Sequence, residues 1–174
     1  MADQEPAAPP DYTALHDAHA VRVLRLCRLL VGDPDDAAEI CQEIFLRLHR
    51  ALRDGTSAEH WDAWLTTVAL NACRDHRRSG WWRWLRRREA LDDLPLADPR
   101  PGPEQAAISR QTRARIWRAF RALPARQREV FALRQLEGYS TEETAALLSL
   151  ATGSVKQHLF RAIRALREAL GHMR

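Results

Sequence analysis

The chain has 174 residues and a formal net charge of +4, a length that suits one or two small domains. No apolar run approaches the roughly 20 residues of a membrane span, and the N-terminus lacks the basic start and apolar centre of a secretion signal. We therefore expect a cytoplasmic protein without membrane insertion, in which residues 1–10 form a disordered tail. Three cysteines without a CxxC pair suit a reducing compartment and no metal site.

The charge is divided unevenly along the chain. Residues 1–79 contain 9 Arg and 13 acidic residues, a net charge of −4, whereas residues 80–174 have a net charge of +8. A cationic half favours binding to nucleic-acid phosphates. The anionic half therefore needs a different kind of partner.

Residues 11–79 are predicted to form three amphipathic helices, enough to enclose one small core. The first covers about 13–30, the second about 34–52, and the third begins near Ser57 or Ala58 after a polar loop. The side chains expected in the core are Val23, Leu26, Cys27, Leu30, Cys41, Phe45, Leu48, Leu52, Trp61, Trp64, Leu65, Val68 and Ala72.

The second helix starts with an unusual number of acidic side chains. The acidic residues Asp35, Asp36, Glu39 and Glu43, together with Gln42, extend past its first turn. Acidic residues favour helix N-termini through the helix dipole, and a docking face for a protein partner explains the cluster equally well. Both interpretations stay open from the residues alone.

Residues 80–103 are predicted to be a flexible interdomain linker, because Pro and Gly crowd their later part. Trp81, Trp82 and Trp84 interleave with arginines at its start. These side chains either stack on bases and follow a phosphate backbone or pack on the first domain.

Residues 104–174 are predicted to form a compact four-helix unit. Its first helix reaches Leu123 and buries one apolar stripe, its second covers 125–137 and ends at Gly138, and a helix-turn-helix follows. The whole chain is therefore predicted to be all-α, with two small helical bundles joined by the linker. The stripe of the first helix comprises Ile108, Ile116, Phe120 and Leu123.

The helix-turn-helix has clear end signals. Ser140 precedes Glu143 by three residues, which predicts a capping box at the start of a helix over 141–148. Thr152 is expected to cap a second helix over about 153–170.

Helical spacing gives this second helix two faces. The face expected to be buried comprises Val155, Leu159, Ala162, Ile163, Leu166 and Leu170. The opposite face presents Lys156, Gln157, Phe160, Arg161 and Arg164. Gln and Arg pair with adenine and guanine edges, and a phenyl ring can contact a thymine methyl. DNA reading is thus favoured over a merely basic helical hairpin.

Three stretches together resemble a known family: DDAAEICQEIFLRLHRAL, WDAWLTTVALNACRDHRR and LPARQREVFALRQLEGYSTEETAALLSLATGSVKQHLFRAIRALRE. They are similar, in that order, to the polymerase-binding helix, the promoter-melting helix and the promoter-reading domain of extracytoplasmic-function (ECF) sigma factors. The resemblance covers nearly the whole chain. Ser149 departs from the family because it stands where Gly is usual in the turn, and Thr144 stands where an aliphatic residue is common; we expect Ser to adopt the turn at modest strain.

The resemblance implies that Lys156, Gln157, Phe160 and Arg161 read the minus-thirty-five element in the major groove. Residues matching the family's phosphate contacts are Arg134 and Thr141, while Arg164 is added from the helix face alone. A flipped base of the minus-ten element is expected in a pocket formed by the loop and the third helix. The residues implied there are Asp54, Gly55, Thr56, Ser57, Asn71, Asp75 and Arg78.

The resemblance also supplies a partner for the acidic face. Asp36, Glu39, Gln42 and Glu43 would contact the clamp helices of the largest subunit of core RNA polymerase. Many relatives are held inactive by an anti-sigma factor, and we expect one here.

The function that follows is a sigma factor directing RNA polymerase to promoter DNA and assisting promoter melting. No nucleophile–base pair, phosphate loop or closed metal site is visible, so we expect neither catalysis nor a cofactor. The alternative is a helix-turn-helix transcription regulator whose first domain senses a signal or dimerises.

Overall fold

In the computed structural model, residues 11–79 and 103–171 are described, with side chains from residue 111 onward in the second range. These residues form helices and turns and contain no strand, which confirms the all-α fold class. The predicted tail and residues 80–102 of the predicted linker, with their tryptophans, lie outside them. The helices are α1 (Tyr12–Val31), α2 (Pro34–Arg53), α3 (Trp61–Arg78), α4 (Pro103–Ala122), α5 (Ala125–Phe131), α6 (Thr141–Leu148) and α7 (Thr152–Gly171).

The chain divides into two compact units, one containing α1–α3 and one containing α4–α7. In the first unit the predicted core positions of α1 are all buried, as are those of α2 except the half-buried Leu52. The prediction for α3 was partly wrong, because Trp61, Trp64 and Val68 are only half-buried. The buried face of α3 is rotated from the predicted stripe toward Thr66, Leu70 and Cys73. Its buried residues are Leu65, Thr66, Ala69, Leu70, Ala72 and Cys73.

The loop between α2 and α3 extends to His60. Gly55 ends α2 at a φ of +75°, with hydrogen bonds from the Gly55 N–H to the Leu52 carbonyl (3.2 Å) and from the Thr56 N–H to the Ala51 carbonyl (2.9 Å). These paired bonds form the common glycine stop of a helix. The backbone is still extended at His60, so α3 begins at Trp61 rather than near residue 57.

In the second unit, α5 does not continue as an α-helix to residue 137. A π-helical segment, Ala132–Leu136, follows it, and the Glu137 N–H bonds the carbonyl of Ala132, five residues earlier (2.9 Å). Gly138 then ends the segment at a φ of +80°, as predicted.

The core of the second unit is small and contains Phe120, Leu123, Val130, Leu133 and Leu148, with parts of α7. The prediction that Ile116 is buried was wrong, since it is 45% exposed. Among the described side chains, burial is confined to the end of the stripe, at Phe120 and the following Leu123, and Ile116, one turn before Phe120 on the same face, is not covered. The side chain of Ile108 is outside the described residues.

Candidate nucleic-acid interface

The start of α6 is fixed by the predicted capping box. The Glu143 N–H donates to Ser140 Oγ (3.1 Å), and the Ser140 N–H donates to Glu143 Oε2 (2.6 Å). Two N–H groups that have no partner within the helix are thereby satisfied. On the inner side of α6, Thr144 and Ala145 are buried.

The turn between α6 and α7 uses a serine where the family usually has glycine. Ser149 adopts a left-handed conformation (φ 53°, ψ 50°), which confirms the expectation from the sequence. The Ser149 N–H bonds the Ala146 carbonyl (3.2 Å) and the Leu150 N–H bonds the Ala145 carbonyl (2.9 Å). These are the same paired bonds that end α2 at Gly55, so the turn geometry does not depend on glycine.

Helix α7 begins one residue earlier than predicted. Thr152 is its first residue, and the Ala151 carbonyl accepts the first helical bond, from the Val155 N–H (3.1 Å). The prediction that Thr152 caps the helix was therefore wrong, because the cap position belongs to Ala151.

The two faces of α7 are oriented as the sequence predicts. Val155 and Ala162 are fully buried, and Leu159, Ile163, Leu166 and Leu170 are half-buried on the same side. Phe160 is 66% exposed, a large value for an aromatic ring. The exposed face also contains Lys156, Gln157, Arg161 and Arg164.

This exposed face extends over about two turns of α7. Lys156 and Arg164, which lie eight residues apart, are about 12 Å apart along the helix axis. Arg164 Nε also contacts Glu168 Oε1 at 3.2 Å, and both side chains are largely exposed. Such a surface pair is weak, so Arg164 remains available to a phosphate.

Arg134 and Thr141 lie close to the start of α6. Thr141 is its first residue and is half-exposed. Arg134 is half-buried in the π-helical segment and donates a hydrogen bond to the carbonyl of Tyr139, the residue before the capping serine. Arg134 thus holds the segment that leads into α6.

The residues expected at the minus-ten element fall into two groups. Asp54, Gly55, Thr56 and Ser57 are exposed in the loop. Asn71, Asp75 and Arg78 are exposed along α3. Asn71 follows the first residue of α3 by ten positions, which places it about 15 Å along the axis from the loop end of the helix.

The expected polymerase-binding residues are not equivalent in the structure. Glu39 and Gln42 are exposed, and Glu43 is half-exposed with a 3.1 Å contact to Arg47. Asp36 differs, because its Oδ2 accepts a hydrogen bond from His76 Nε2 of α3 at 2.8 Å, and its side chain is 33% exposed.

Sequence reasoning missed the side chains that join the helices. Arg22 of α1 donates to Thr66 Oγ1 (3.0 Å) and to the Asp62 carbonyl (2.9 Å) of α3, and Arg77 donates to the Leu30 carbonyl (3.4 Å). One available signal was Thr66, a polar residue at a core position of α3. Nothing in the sequence identified its partner, 44 residues away.

Two family models match the chain. The model described as Sigma-70 region 2 covers residues 15–83, and the model described as Sigma-70, region 4 covers residues 113–166. Helices α1–α3 therefore correspond to region 2, and α5–α7 with the second half of α4 correspond to region 4. A sensing or dimerisation module in place of the first unit is not favoured, because that unit itself matches a sigma-factor region.

Curated relatives of the chain are also RNA polymerase sigma factors. The chain is 36% identical over 149 residues to the RNA polymerase sigma-E factor of Streptomyces avermitilis, covering 85% of this chain and 78% of the relative. It is 31% identical over 166 residues to the ECF RNA polymerase sigma factor SigM of Mycobacterium tuberculosis, covering 93% and 78%.

The fold is also similar to that of RpoE from Bartonella quintana, solved in complex with the anti-sigma factor NepR, with a TM-score of 0.69 and 22% identity over 94% of this chain and 99% of RpoE. CnrH, solved with the cytosolic domain of CnrY, gives a TM-score of 0.64 at 24% identity, over 92% of this chain and 88% of CnrH. None of the described helices has the length and apolarity that a bilayer span requires. The chain belongs to the ECF RNA polymerase sigma factors, and it directs RNA polymerase to promoters in transcription initiation.

Proposed function

We propose that the exposed face of α7 reads the minus-thirty-five element. The observation that carries this proposal is the exposure of Phe160 and its cationic and amide neighbours, directly opposite the buried Val155 and Ala162. Gln157 and Arg161 supply two-pronged hydrogen bonds to base edges, and Phe160 supplies an apolar contact. Lys156 adds a further donor for a guanine edge, while Arg164 and Thr141 contact phosphates, which position the helix without reading sequence.

Arg134 serves the same element in a different way. Its guanidinium is already bonded to the Tyr139 carbonyl, so its first role is to hold the segment before α6. A guanidinium has five N–H donors, which leaves capacity for a phosphate contact as well.

The test is Arg161→Ala in holoenzyme assembled with purified core polymerase, on a promoter that supports run-off transcription. Loss of a two-pronged base contact should weaken promoter binding by about 1–3 kcal/mol and relax the preference at one base pair. Arg118→Ala, an equal change of charge at an exposed site on α4, is the matched control. Equal promoter affinity of Arg161→Ala and Arg118→Ala, with unchanged base preference, would remove α7 from the assignment.

For the minus-ten element, we propose that the loop and α3 bind different nucleotides of the melted strand. Asp54, Gly55, Thr56 and Ser57 offer exposed polar groups in the loop that leads into α3. In the first turn of that helix the Trp61 and Trp64 rings meet edge to face at 5.6 Å. A flipped base gains from such polar and aromatic surroundings. Asn71, Asp75 and Arg78 lie further along α3 and would contact neighbouring nucleotides.

We further propose that the clamp helices of the largest polymerase subunit dock on α2. Glu39, Gln42 and Glu43 form the exposed part of this face, and Leu46, which is 52% exposed, adjoins it one turn along. Asp36 belongs to the same acidic turn but faces α3. Docking would hold the proposed domains, 11–79 and 104–174, within reach of one promoter and so raise their effective concentration for DNA.

An anti-sigma factor is the remaining proposed partner. RpoE and CnrH, which share the fold, were each solved with another protein, in the first case an anti-sigma factor by name. We propose that a similar inhibitor covers the polymerase- and DNA-binding faces of this chain. The protein would then act in the cytoplasm by binding alone, with no reaction of its own.

A further inference from the structure

The promoter-melting helix α3 is hydrogen-bonded to its neighbours at both ends. Near its start, Arg22 of α1 bonds Thr66 Oγ1 (3.0 Å) and the Asp62 carbonyl (2.9 Å). At its end, His76 Nε2 donates to Asp36 Oδ2 of α2 (2.8 Å), and Arg77 donates to the Leu30 carbonyl of α1 (3.4 Å). The two sets of bonds are about 20 Å apart along the helix axis.

These bonds add a directional constraint to the apolar packing of α3. Its buried face combines Leu65 and Leu70 with the small side chains of Ala69, Ala72 and Cys73. Hydrophobic burial is non-directional, whereas hydrogen bonds require defined distances and angles. The bonds at the two ends of α3 therefore favour one rotation of the helix about its axis.

His76 is well placed for this task. Its side chain is 12% exposed, and its nearest exposed neighbours on α3 include Asp75 and Arg78. When His76 points to α2, the face with Asn71, Asp75 and Arg78 points to solvent. The rotation that makes the His76 bond is therefore the rotation that presents the proposed minus-ten face.

The start of α2 positions Asp36 as the acceptor of the hydrogen bond from His76. It lies in the first turn of α2, where the helix dipole favours a carboxylate. The preceding cap also fixes its backbone, since the Asp36 N–H donates to Asp33 Oδ1 (3.0 Å). A bond to an ionised acceptor that is partly removed from water is stronger than an exposed one. Asp35, its neighbour in sequence, is exposed.

We infer that Asp36 and His76 form a positioning pair that sets the rotation of α3 for minus-ten recognition, and that Asp36 acts through this pair rather than by touching polymerase. The inference rests on the proposed role of α3 in binding the melted strand. Asp36 therefore has a different role from Glu39, Gln42 and Glu43, which remain the proposed docking residues for polymerase.

The experiment compares Asp36→Ala with Asp35→Ala in full-length chain bound to core polymerase. Both variants remove an acid from the first turn of α2, but only Asp36→Ala removes the partner of His76. Affinity for core polymerase is measured first. Affinity of the holoenzyme for a fluorescent single-stranded oligonucleotide with the minus-ten element is measured second. Asp36→Ala should weaken oligonucleotide binding at least fivefold and change core affinity less than twofold, whereas Asp35→Ala should change both less than twofold.

A second pair tests the bond from the other side. His76→Phe keeps the ring size and removes the donor, so it should reproduce the loss seen with Asp36→Ala. His76→Gln keeps an N–H donor and should restore oligonucleotide binding to within twofold of the parent. General loss of structure would not be rescued by this conservative change. If His76→Phe does not fold, the comparison of the two aspartates still decides.

Two results would overturn the inference. One is a loss of core affinity in Asp36→Ala as large as that in Glu39→Ala, with oligonucleotide binding intact. The other is parental oligonucleotide binding by Asp36→Ala or His76→Phe. Asn71→Ala separates this failure from that of the proposed function. If Asn71→Ala leaves oligonucleotide binding unchanged, α3 does not bind the strand; if Asn71→Ala weakens it and Asp36→Ala does not, only the positioning pair is wrong.

Discussion

The two units of this sigma factor use polar side chains differently. In the first, Arg22 and His76 bind partners 44 and 40 residues away and join separate helices. In the second, Arg128 binds carbonyls seven and five residues away at the end of α4, and Ser140 binds Glu143. These side chains set the orientation of helices in the first unit and the geometry of helix ends in the second.

This difference between the units is consistent with the DNA-binding face that we propose for each of them. The proposed minus-ten face lies on α3, and its aim depends on how α3 sits against α1 and α2. The proposed minus-thirty-five face lies on α7, whose position follows from the turn at Ser149 and from buried contacts at Val155 and Ala162. Substitutions of polar residues should therefore act across the whole first unit and locally in the second.

The largest effect is expected for Arg22→Met. Methionine keeps much of the apolar stem but leaves the Thr66 hydroxyl and the Asp62 carbonyl without the guanidinium. Loss of charged hydrogen bonds in a partly buried site should lower the free energy of unfolding of the first unit by about 2–3 kcal/mol. Native-state hydrogen exchange should show faster exchange across α1–α3.

Arg50→Met is the control, because Arg50 is exposed on α2 and surface substitutions stay within about 0.5 kcal/mol. If Arg22→Met and Arg50→Met behaved alike, or if only amides next to residue 22 exchanged faster, the long-range character of the first unit would be refuted.

Sequence reasoning succeeded where the signal is local. The capping box at Ser140, the stop at Gly138 and the two faces of α7 all depend on residues within a few turns of one another. These features were read from spacing alone because helix geometry fixes which side chains share a face.

Sequence reasoning failed where the burial of a side chain, or its hydrogen-bond partner, depends on how separate helices pack together. Asp35 and Asp36 are adjacent acids in the first turn of α2, yet one is exposed and the other bonds His76. Ile116 fits an apolar spacing on α4, but the small second unit does not cover it. The exposed residues of α7 could be named from the sequence, whereas the side chains that join α3 to α1 and α2 could not.

The second-largest effect is expected from the buried thiols of the first unit, which should make its stability depend on pH. Cys27 and Cys73 are fully buried, and Cys41 is nearly so. A hydrogen bond with Cys73, and then burial, raises the pKa of the Cys27 thiol above its ordinary value of 9.0. Burial likewise raises the pKa of Cys41. The folded state therefore holds these protons at a pH where the unfolded chain releases them.

Because the thiol pKa is higher in the folded state than in the unfolded chain, the free energy of unfolding should fall as pH rises. The raised pKa values of Cys27 and Cys41 stabilise the fold fully below about pH 9. This contribution is lost as pH rises further, by about 1.4 kcal/mol per pH unit for each of these two thiols that stays protonated in the native state. Urea unfolding at pH 8, 9 and 10 should show the decline. Cys27→Ala should be less stable at pH 8 but show a shallower decline; an unchanged slope would contradict the assignment to Cys27.

The smallest effect is expected in the turn of the second unit, for Ser149→Gly. The left-handed conformation of Ser149 (φ 53°) costs a residue with a side chain about 1 kcal/mol. Glycine avoids this cost but loses more conformational freedom on folding, about 0.5–1 kcal/mol. The two terms nearly cancel, so we expect a gain in stability of no more than about 0.5 kcal/mol.

Ser154→Gly makes the comparison decisive, because Ser154 lies within α7 and glycine there has only the entropic cost. It should destabilise the second unit by about 0.5–1 kcal/mol, opposite in sign to Ser149→Gly. Hydrogen exchange should confine both changes to α6 and α7, in contrast to the spread of Arg22→Met over three helices. Equal destabilisation by the two glycines would mean that the left-handed serine is not strained, and that hydrogen bonds at the turn compensate for its conformation.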